Sequence, residues 1–464
     1  MKQENRVTSI RACFALVVIV PHAIWPAILL ADVPTYTMFE LQARSNFGVN
    51  PSGSYNLPPN VFFNSVTPAL NNAGQVAFKV SPVGDAQGVW FGAGGSGSIA
   101  YVSPNDAFIS DVSLNNHGYV VFPQTFSSQN GIYFYDGATN SSGFKVSHPI
   151  GTSSWGSPQV NDSGHIAHRP AFSGSGNAWW SYDGQSTLTG AFHAVETSVD
   201  PISPYSFLFT PSFNNSRAIA GKVQVSGGNE IRIIDVSGNS TLIARSNSLN
   251  PKSIFSNFDN SVSLTDTGWV AFNATLVGGG RGVYLSNGST TIEIATTFNA
   301  AINTIEFFPP AANNNGLVVF RARDNNNYYA IFVGDGTDLR RVIGQWDTIP
   351  TDQGPAWIAQ HDTSVTFGGA VAINDHGDIA FNAALTPEGN NQIEWGSGIF
   401  IAYADANTPT LGDLNNDGVV DVLDLLILLG SWGPCPKSGP CPADLNNSGV
   451  VDVQDLLILL SNWG

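Results

Sequence analysis

A short pattern of apolar and polar positions recurs seven times between residues 60 and 402. Six copies have an apolar residue, then Asn or another polar residue, two further positions and Gly, and after one more position two or three apolar residues; the fourth copy has Arg217 in place of Gly. Asn readily bonds its own backbone and Gly adopts positive φ, so the polar centre predicts a tight hairpin turn. The copies begin at Leu70, Leu114, Val160, Phe213, Leu264, Ala312 and Ile373.

The residues that follow each turn predict short strands. In the fifth copy a strand at 269–276 leads to a Gly-aromatic strand at 282–285 and a fourth strand at 291–296. The turn Gly, replaced by Arg217 in the fourth copy, recurs at intervals of 44 to 61 residues, which is typical of propeller blades. Four strands in each of seven units predict an all-β, seven-bladed β-propeller over residues 32–404. An open β-solenoid or a pair of β-sandwiches is the alternative.

The two ends of the repeat region predict how the ring closes. The seventh copy has three strands before the chain changes character near Ala404. Residues 36–44 resemble the fourth strand of the other units, for example 241–245. We expect this segment to pair with the last blade, so that no sheet edge stays free at the seam.

Residues 1–31 have the layout of an export signal. Three basic residues precede an apolar run at 12–20 that is too short to cross a bilayer and is followed by prolines. Cleavage after Ala31 fits this layout, with Ala23 as an alternative site and an uncleaved membrane anchor as the alternative interpretation. We therefore expect a secreted or cell-surface protein whose mature chain has no transmembrane span.

Two near-copies of a 12-residue segment, 31 residues apart, follow a linker at 405–411. Side-chain oxygens stand at segment positions 1, 3, 5, 9 and 12, position 7 offers its carbonyl, and Gly at position 6 permits a sharp turn. Calcium needs this many oxygen ligands. The predicted ligands of the first loop are Asp413, Asn415, Asp417, Val419 (carbonyl), Asp421 and Asp424. Those of the second are Asp444, Asn446, Ser448, Val450 (carbonyl), Asp452 and Asp455, where Ser448 replaces a carboxylate and predicts weaker binding.

Each loop continues into the apolar run Leu-Leu-Ile-Leu-Leu, which predicts one short helix after each loop. Loop, helix, linker, loop and helix over residues 412–464 resemble a type I dockerin, the module that attaches secreted enzymes to cohesin scaffolds. The resemblance implies two bound calcium ions and a cohesin-like or cell-surface partner. Dockerin tails on Asn- and Gly-rich repeats also resemble those of large exported proteins of planctomycete-type bacteria.

Loop positions 10 and 11 depart from the family pattern. Cellulosomal dockerins usually have a polar pair there, whereas this chain has Val422-Leu423 and Val453-Gln454. The apolar residues indicate either a different receptor or pairs that pack against each other.

Cys435 and Cys441 are the two cysteines that remain after removal of the predicted signal. An even number of cysteines in an exported protein predicts a disulfide between them. Zinc is not expected, because no second pair of Cys or His lies nearby.

Composition excludes several classes of function. Only 11% of residues are charged, and Gly (48) and Pro (27) are abundant, which argues against a helical bundle or a coiled coil. With 18 basic and 35 acidic residues the net charge is −17, so neither nucleic acid nor an anionic membrane surface is an expected partner.

The sequence has no strong catalytic motif: it lacks a Gly-x-Ser-x-Gly elbow, a His-Glu-x-x-His motif and a phosphate loop. Glu306, Glu388 and Glu394 fall in predicted loops and are candidates for an acid/base pair. Trp179-Trp180 and Trp395 could stack on sugars, although packing between blades is the commoner role. Whether the chain is an enzyme stays open.

Two functions remain. The first is a secreted, calcium-binding, dockerin-bearing protein whose propeller is a binding or display domain, with polysaccharide among its candidate ligands. The alternative is a polysaccharide-degrading enzyme, a glycoside hydrolase or lyase, of a cellulosome-like system.

Overall fold

A computed structural model describes residues 33–45, 53–58, 61–63, 65–83, 86–104, 107–182, 189–360, 365–405, 412, 414–415, 420–435, 441–446 and 448–463. Within these ranges the chain forms seven antiparallel sheets, the blades of a β-propeller, and two short helices near its C-terminus. The predicted seven-bladed architecture is confirmed. The predicted signal segment and all of the predicted linker except Asp405 lie outside the described residues.

The first described strand, β1 (Met38–Ser45), belongs to the last blade rather than to the first. It pairs antiparallel with β33 (Gly396–Tyr403), so that Met38 lies opposite Tyr403 and Ser45 opposite Ser397. The predicted closure is therefore confirmed: backbone hydrogen bonds join the two ends of the repeat region.

The remaining strands follow in chain order, from the central channel outward within each blade. Blade one has β2 (Ala69–Leu70), β3 (Val76–Val83), β4 (Ala86–Ala93) and β5 (Ser96–Val102). Blade two has β6 (Phe108–Ile109), β7 (Ser113–Leu114), β8 (Tyr119–Thr125), β9 (Gly131–Asp136) and β10 (Ser141–Val146). Blade three has β11 (Thr152–Val160), β12 (Ile166–Phe172), β13 (Gly176–Tyr182) and β14 (Gly190–Val195).

The later blades repeat this order. Blade four has β15 (Phe207–Leu208), β16 (Ser212–Phe213), β17 (Ile219–Val225), β18 (Gly228–Ile234) and β19 (Ser240–Arg245). Blade five has β20 (Phe255–Leu264), β21 (Val270–Leu276), β22 (Arg281–Ser286) and β23 (Thr291–Thr296). Blade six has β24 (Ile302–Ile305), β25 (Ala311–Ala312), β26 (Val318–Asp324), β27 (Tyr329–Gly334) and β28 (Leu339–Gly344).

Blade seven is the most elaborate. Its strands besides β1 and β33 are β29 (Thr348–Thr351), β30 (Gly354–Ile358), β31 (Phe367–Ile373) and β32 (Ile379–Pro387). The C-terminal region has α1 (Val422–Gly430), β34 (Gly433–Pro434), β35 (Val450–Val451) and α2 (Val453–Ser461). The hairpin of β29 and β30 is an addition to the four-stranded unit.

The innermost strand is interrupted in several blades. In blades two, four and six it is split into two segments that pair with the same second strand. In blades three, five and seven it stays continuous but shifts register at its middle. These breaks leave carbonyl groups without strand partners, and side chains of the preceding blade bind some of them.

The hydrophobic core lies between neighbouring blades. The fully buried Phe78, Phe122, Phe272, Phe320 and Phe381 occupy equivalent positions on the second strands. Gly221 takes this position in blade four, where a Cβ would approach the Trp179 ring to 2.5 Å, so the indole occupies the space that phenyl rings fill elsewhere. Burial of rings from both neighbouring sheets ties each blade to the next.

Candidate calcium-binding module and central channel

The oxygens of the second predicted calcium loop converge. The Asp444 carboxylate accepts the backbone N–H of Ser448 on Oδ1 (2.9 Å) and that of Gly449 on Oδ2 (2.7 Å). Asn446 Oδ1 also accepts the Ser448 N–H (2.9 Å), and the Ser448 hydroxyl donates to the Val450 carbonyl (3.0 Å). Three of the other five predicted ligand groups, those of Asp444, Asn446 and Val450, thus lie within hydrogen-bonding distance of Ser448. An all-oxygen set of this kind fits calcium.

The last two predicted ligands of each loop begin the helix that follows. Asp421 and Asp452 are the N-caps of α1 and α2, and the carboxylates of Asp424 and Asp455 accept the cap N–H in return. These are capping boxes, which satisfy backbone donors left free at a helix start. The same aspartates can therefore order the loop and start its helix.

Asp424 also ties the start of the first loop to α1. Its buried carboxylate accepts the backbone N–H groups of Leu414 (2.8 Å), Asn415 (3.1 Å) and Asp421 (2.8 Å). Burial acts to raise the pKa of Asp424, but the backbone donors outweigh it and hold the pKa below its usual range. Asp413, Asp417 and Val419 of this loop lie outside the described residues.

The apolar residues at loop positions 10 and 11 face solvent. Val422 is 54% exposed, Leu423 52% and Val453 56%. The module's core instead contains Val420, Leu428, Ala443, Val451 and Leu459. Of the two interpretations of these positions, packing of the apolar pairs against each other is therefore wrong.

A disulfide joins Cys435 and Cys441, whose Cα atoms are 5.7 Å apart. These two sulfurs and the Asp444 carboxylate lie within 4.8 Å of one another, an arrangement that resembles a metal site. Disulfide sulfurs carry no thiolate, the form in which cysteine binds zinc, so the cluster does not fit a zinc ion.

A channel of about 900 Å³ runs through the propeller, lined by the inner strands of all seven blades. The predicted hairpin turns lie at one of its ends. In the first turn, Asn71 Oδ1 accepts the N–H groups of Ala73 (3.1 Å) and Gln75 (2.9 Å), as expected for a residue that bonds its own turn. Its Nδ2 reaches the next blade and donates to the Asn115 carbonyl (3.0 Å).

The same side-chain amide link continues around the ring. It joins residues 115 to 161, 161 to 214, 214 to 265, 313 to 374 and 374 back to 71. Thr265 has no amide, and its hydroxyl bonds the Thr267 hydroxyl instead (2.9 Å). Six of the seven turns are therefore linked to the next by the first turn residue.

The second residue of each turn forms a complete circuit. Its backbone N–H donates to the side-chain Oδ1 of the equivalent residue in the next blade, at 2.7 to 3.0 Å. The seven residues, called here the turn ring, are Asn72, Asn116, Asp162, Asn215, Asp266, Asn314 and Asp375. Each Asp in the turn ring has an Asn on both sides and accepts from both of their amides.

Polar side chains in the middle of the channel also bond between blades. Ser113 Oγ accepts the Val160 N–H (3.2 Å), and Ser212 Oγ accepts the Leu264 N–H (2.9 Å). At the end opposite the turns, Lys222 Nζ donates to the Phe258 carbonyl (2.8 Å), at the register shift in the next inner strand. Much of the polar lining therefore serves to join blades.

The candidate acidic residues have structural partners. Glu306 forms an ion pair with Arg321 at 2.7 Å. Glu388 accepts from the Thr348 hydroxyl at 3.0 Å, and Glu394 is buried. Their different surroundings give no support to an acid/base pair.

The candidate aromatic residues pack in the hydrophobic core. Trp179 and Trp180 are buried, and the Trp179 indole donates to the Phe209 carbonyl at 2.9 Å. Trp395 packs against the core of the last blade. Packing is therefore the role that the structure gives all three.

The turn ring is a feature that reasoning from the sequence missed. One signal was present: the second turn position holds only Asn or Asp in all seven copies, and no two Asp are neighbours around the ring. A turn that needed only its own local bonds would tolerate more residue types at that position.

Two family descriptions match parts of the chain. Residues 411–462 match the dockerin type I domain, with the two loops, the capped helices and the disulfide described above. The C-terminal region is a type I dockerin domain. Type I dockerin domains bind calcium and dockerin domains bind cohesins, and both predicted loops fall within the matched residues. Residues 235–413 match a family of unknown function, DUF7453.

Several solved structures are similar to the chain at low sequence identity, and no curated protein matches it. An oligogalacturonate lyase from Vibrio parahaemolyticus is 11% identical with a TM-score of 0.50, covering 81% of this chain and 98% of that one. An oligogalacturonate lyase in complex with manganese (11%, TM-score 0.49) covers 80% and 98%. TolB from Acinetobacter baumannii (14%, TM-score 0.42) covers 62% and 67%. At 11% identity, the likeness to the Vibrio parahaemolyticus lyase shows the fold alone.

Among the described residues, the helices are all too short to span a membrane.

Proposed function

We propose that this chain is a secreted protein whose propeller is a binding or display domain, held by its dockerin domain to a cohesin-like or cell-surface partner. The dockerin domain carries the proposal, because such domains bind cohesins. Export is supported by the signal-like residues 1–31 and by the typical extracellular location of dockerin-bearing proteins.

The polar residues that line the channel favour a binding role over catalysis, because their side chains are used in hydrogen bonds between blades. The turn ring, Ser113 and Ser212 make hydrogen bonds between blades. Catalytic acids and bases need protons that they can exchange with a substrate, and groups held in structural bonds are poorly suited to this. Glu306, paired with Arg321, has the same limitation.

Screening the purified protein against a panel of polysaccharides, with binding and product release measured on the same samples, tests this function. Binding without product release supports the proposal. Release of oligosaccharides would overturn it and identify a polysaccharide-degrading enzyme.

Two calcium ions form the second part of the proposal. The ligands are the twelve residues predicted from the two loops, and the convergence of Asp444, Asn446, Ser448 and Val450 supports the second site. When bound, calcium would supply a positive centre that neutralises the aspartates and orders the loops. Calorimetric titration should give two ions per chain, with the second site the weaker. Uptake like the wild type's by a protein carrying Asp413→Ala and Asp444→Ala would refute the ligand set.

A further inference from the structure

The disulfide of the dockerin domain lies against the second calcium loop. Asp444, the first predicted ligand, donates its backbone N–H to the Cys441 carbonyl (3.1 Å). Cys435 donates its backbone N–H to the carbonyl of Gly449, loop position 6 (3.0 Å). The Cys435 sulfur also contacts Asp444 Oδ2 at 3.5 Å. The two halves of the disulfide therefore hold two separate points of one loop.

A short pair of strands extends this attachment. Gly433 and Pro434 of β34 lie opposite Val451 and Val450 of β35. Val450 supplies the predicted carbonyl ligand at position 7. Positions 6 and 7 are thus connected to residues 433–435 and position 1 to Cys441, and the disulfide joins these two parts of the chain.

The sequence offers the first loop no equivalent cross-link. Ala404 and Thr410 stand at the positions 31 residues before the two cysteines. The first loop has four aspartates among its predicted ligands, whereas the second has three because Ser448 replaces the fourth. Fewer carboxylates weaken calcium binding, while a loop ordered in advance loses less entropy when it binds. The cross-link is therefore found on the loop with the poorer ligand set.

We propose that the Cys435–Cys441 disulfide positions the ligands of the second calcium loop and maintains its calcium affinity despite the missing carboxylate. This inference rests on the proposed calcium ligands. It predicts that cleavage of the disulfide weakens the second site and leaves the first unchanged.

Single-site versions of the full chain allow a direct test. Asp413→Ala leaves only the second loop to titrate, and Asp444→Ala leaves only the first. Each is titrated with calcium by calorimetry as the oxidised protein, after reduction, after reoxidation, and with Cys435→Ser plus Cys441→Ser.

In the Asp413→Ala protein, loss of the disulfide should lower calcium affinity by about tenfold, equivalent to ~1.4 kcal/mol, and reoxidation should restore it. In the Asp444→Ala protein the affinity should stay within about twofold of its oxidised value. Circular dichroism with saturating calcium monitors the helical signal of α1 and α2 and identifies any variant that fails to fold. If the cysteine variant does not fold, the calcium affinities of the Asp413→Ala protein before reduction, after reduction and after reoxidation provide the comparison.

Equal affinities of the oxidised and reduced Asp413→Ala protein would overturn the proposal, as would an equal loss in both single-site proteins. Failure of the ligand assignment looks different, because the wild-type chain itself would then not take up two ions.

Discussion

Arg217 occupies a left-handed backbone conformation that glycine adopts in the other six turns. Its φ is +60°, and the equivalent glycines have φ between +68° and +89°. An L-residue in this region is strained by about 1–2 kcal/mol, which Gly avoids at some cost in chain entropy. The Arg217 Nε is also buried without a hydrogen-bond partner. We expect Arg217→Gly to raise the free energy of unfolding by about 0.5–1 kcal/mol, measured by urea denaturation.

Gly164 provides the matched control for this prediction. Its φ is +76°, and a Cβ added there would meet nothing within 4 Å, so Gly164→Ala tests backbone strain without a steric clash. It should lower the free energy of unfolding by about 1 kcal/mol. If Arg217→Gly is as destabilising as Gly164→Ala, the left-handed conformation is not a source of strain in this turn.

His168 stands at the core position that phenylalanine occupies in five blades, stacked on Tyr182 with ring centroids 5.6 Å apart. Burial lowers the pKa of His168 to about 3, although the nearby His148 carbonyl opposes this shift. The folded pKa of His168 lies below its unfolded value of about 6.5. The contribution of neutral His168 to the free energy of unfolding is therefore complete above pH 6.5 and is lost as pH falls toward 3.

We expect His168→Phe to flatten the acid side of the stability profile. Between pH 7 and pH 5 the wild type should lose about 1–2 kcal/mol more of its free energy of unfolding than the variant does. Urea denaturation followed by tryptophan fluorescence at pH 5, 6 and 7 measures this, with His117→Asn, at an exposed turn position, as the control. Parallel stability profiles for wild type and His168→Phe would contradict a lowered pKa of His168 in the folded protein.

At the scale of elements, Arg44 connects the closing strand β1 to other parts of blade seven through hydrogen bonds of its buried side chain. Its fully buried guanidinium bonds both carboxylate oxygens of Asp352 (2.8 and 2.9 Å) and the carbonyls of Trp395 and Gly53 (2.9 and 2.7 Å). Arg44→Ala leaves this carboxylate and two carbonyls without their donor. We expect a loss of about 3–5 kcal/mol in the free energy of unfolding, together with faster proteolysis near the N-terminus.

Arg341→Ala is the control for the Arg44 prediction. Arg341 pairs with Asp347 at 2.6 Å, but both side chains are about one-third exposed, 33% and 35%. Solvent screens such a pair, so its loss should cost less than about 1 kcal/mol. Equal effects of the two substitutions would mean that β1 contributes no more to closure than a surface ion pair does.

Elements were predictable from sequence where the pattern is local and repeated. The turn Asn and Gly, the strands after them and the two 12-residue loops all follow from neighbouring residues. The β29–β30 hairpin is an addition to the four-stranded repeat. The 61-residue interval between Gly316 and Gly377, the longest between successive turns, indicated extra residues there. The breaks in the inner strands have no comparable signal in the sequence, because contacts with the preceding blade help to hold them.

At the scale of the whole molecule, the turn ring depends on contacts that no local pattern encodes. Each of its links joins residues 44 to 61 positions apart along the ring, and 303 apart at the seam between Asn72 and Asp375. Asn215 lies between two aspartates of the ring and bridges them: its amide donates to Asp162 Oδ2 (2.9 Å) and to Asp266 Oδ2 (2.8 Å). A seven-membered ring with no adjacent carboxylates holds at most three aspartates, and this ring holds three.

We expect Asn215→Asp to destabilise the whole propeller, because it replaces two hydrogen bonds with two carboxylate repulsions. The free energy of unfolding at pH 7 should fall by about 1–3 kcal/mol, a range that allows for the partial exposure of the ring. Asn116→Asp is the graded control: its neighbours are Asn72 and Asp162, so it creates one repulsion and should cost about half as much.

The pH dependence of Asn215→Asp separates repulsion from simple loss of packing. Two neighbouring carboxylates raise the folded pKa of the introduced aspartate above its unfolded value. A group of this kind contributes its stability below the unfolded pKa and loses it as pH rises through the folded pKa. The deficit relative to wild type should therefore be largest at pH 7 and shrink toward pH 4, in thermal melts of the calcium-loaded protein. A deficit that is constant with pH, or equal for Asn215→Asp and Asn116→Asp, would show that the alternation of Asn and Asp has no electrostatic role in holding the seven blades together.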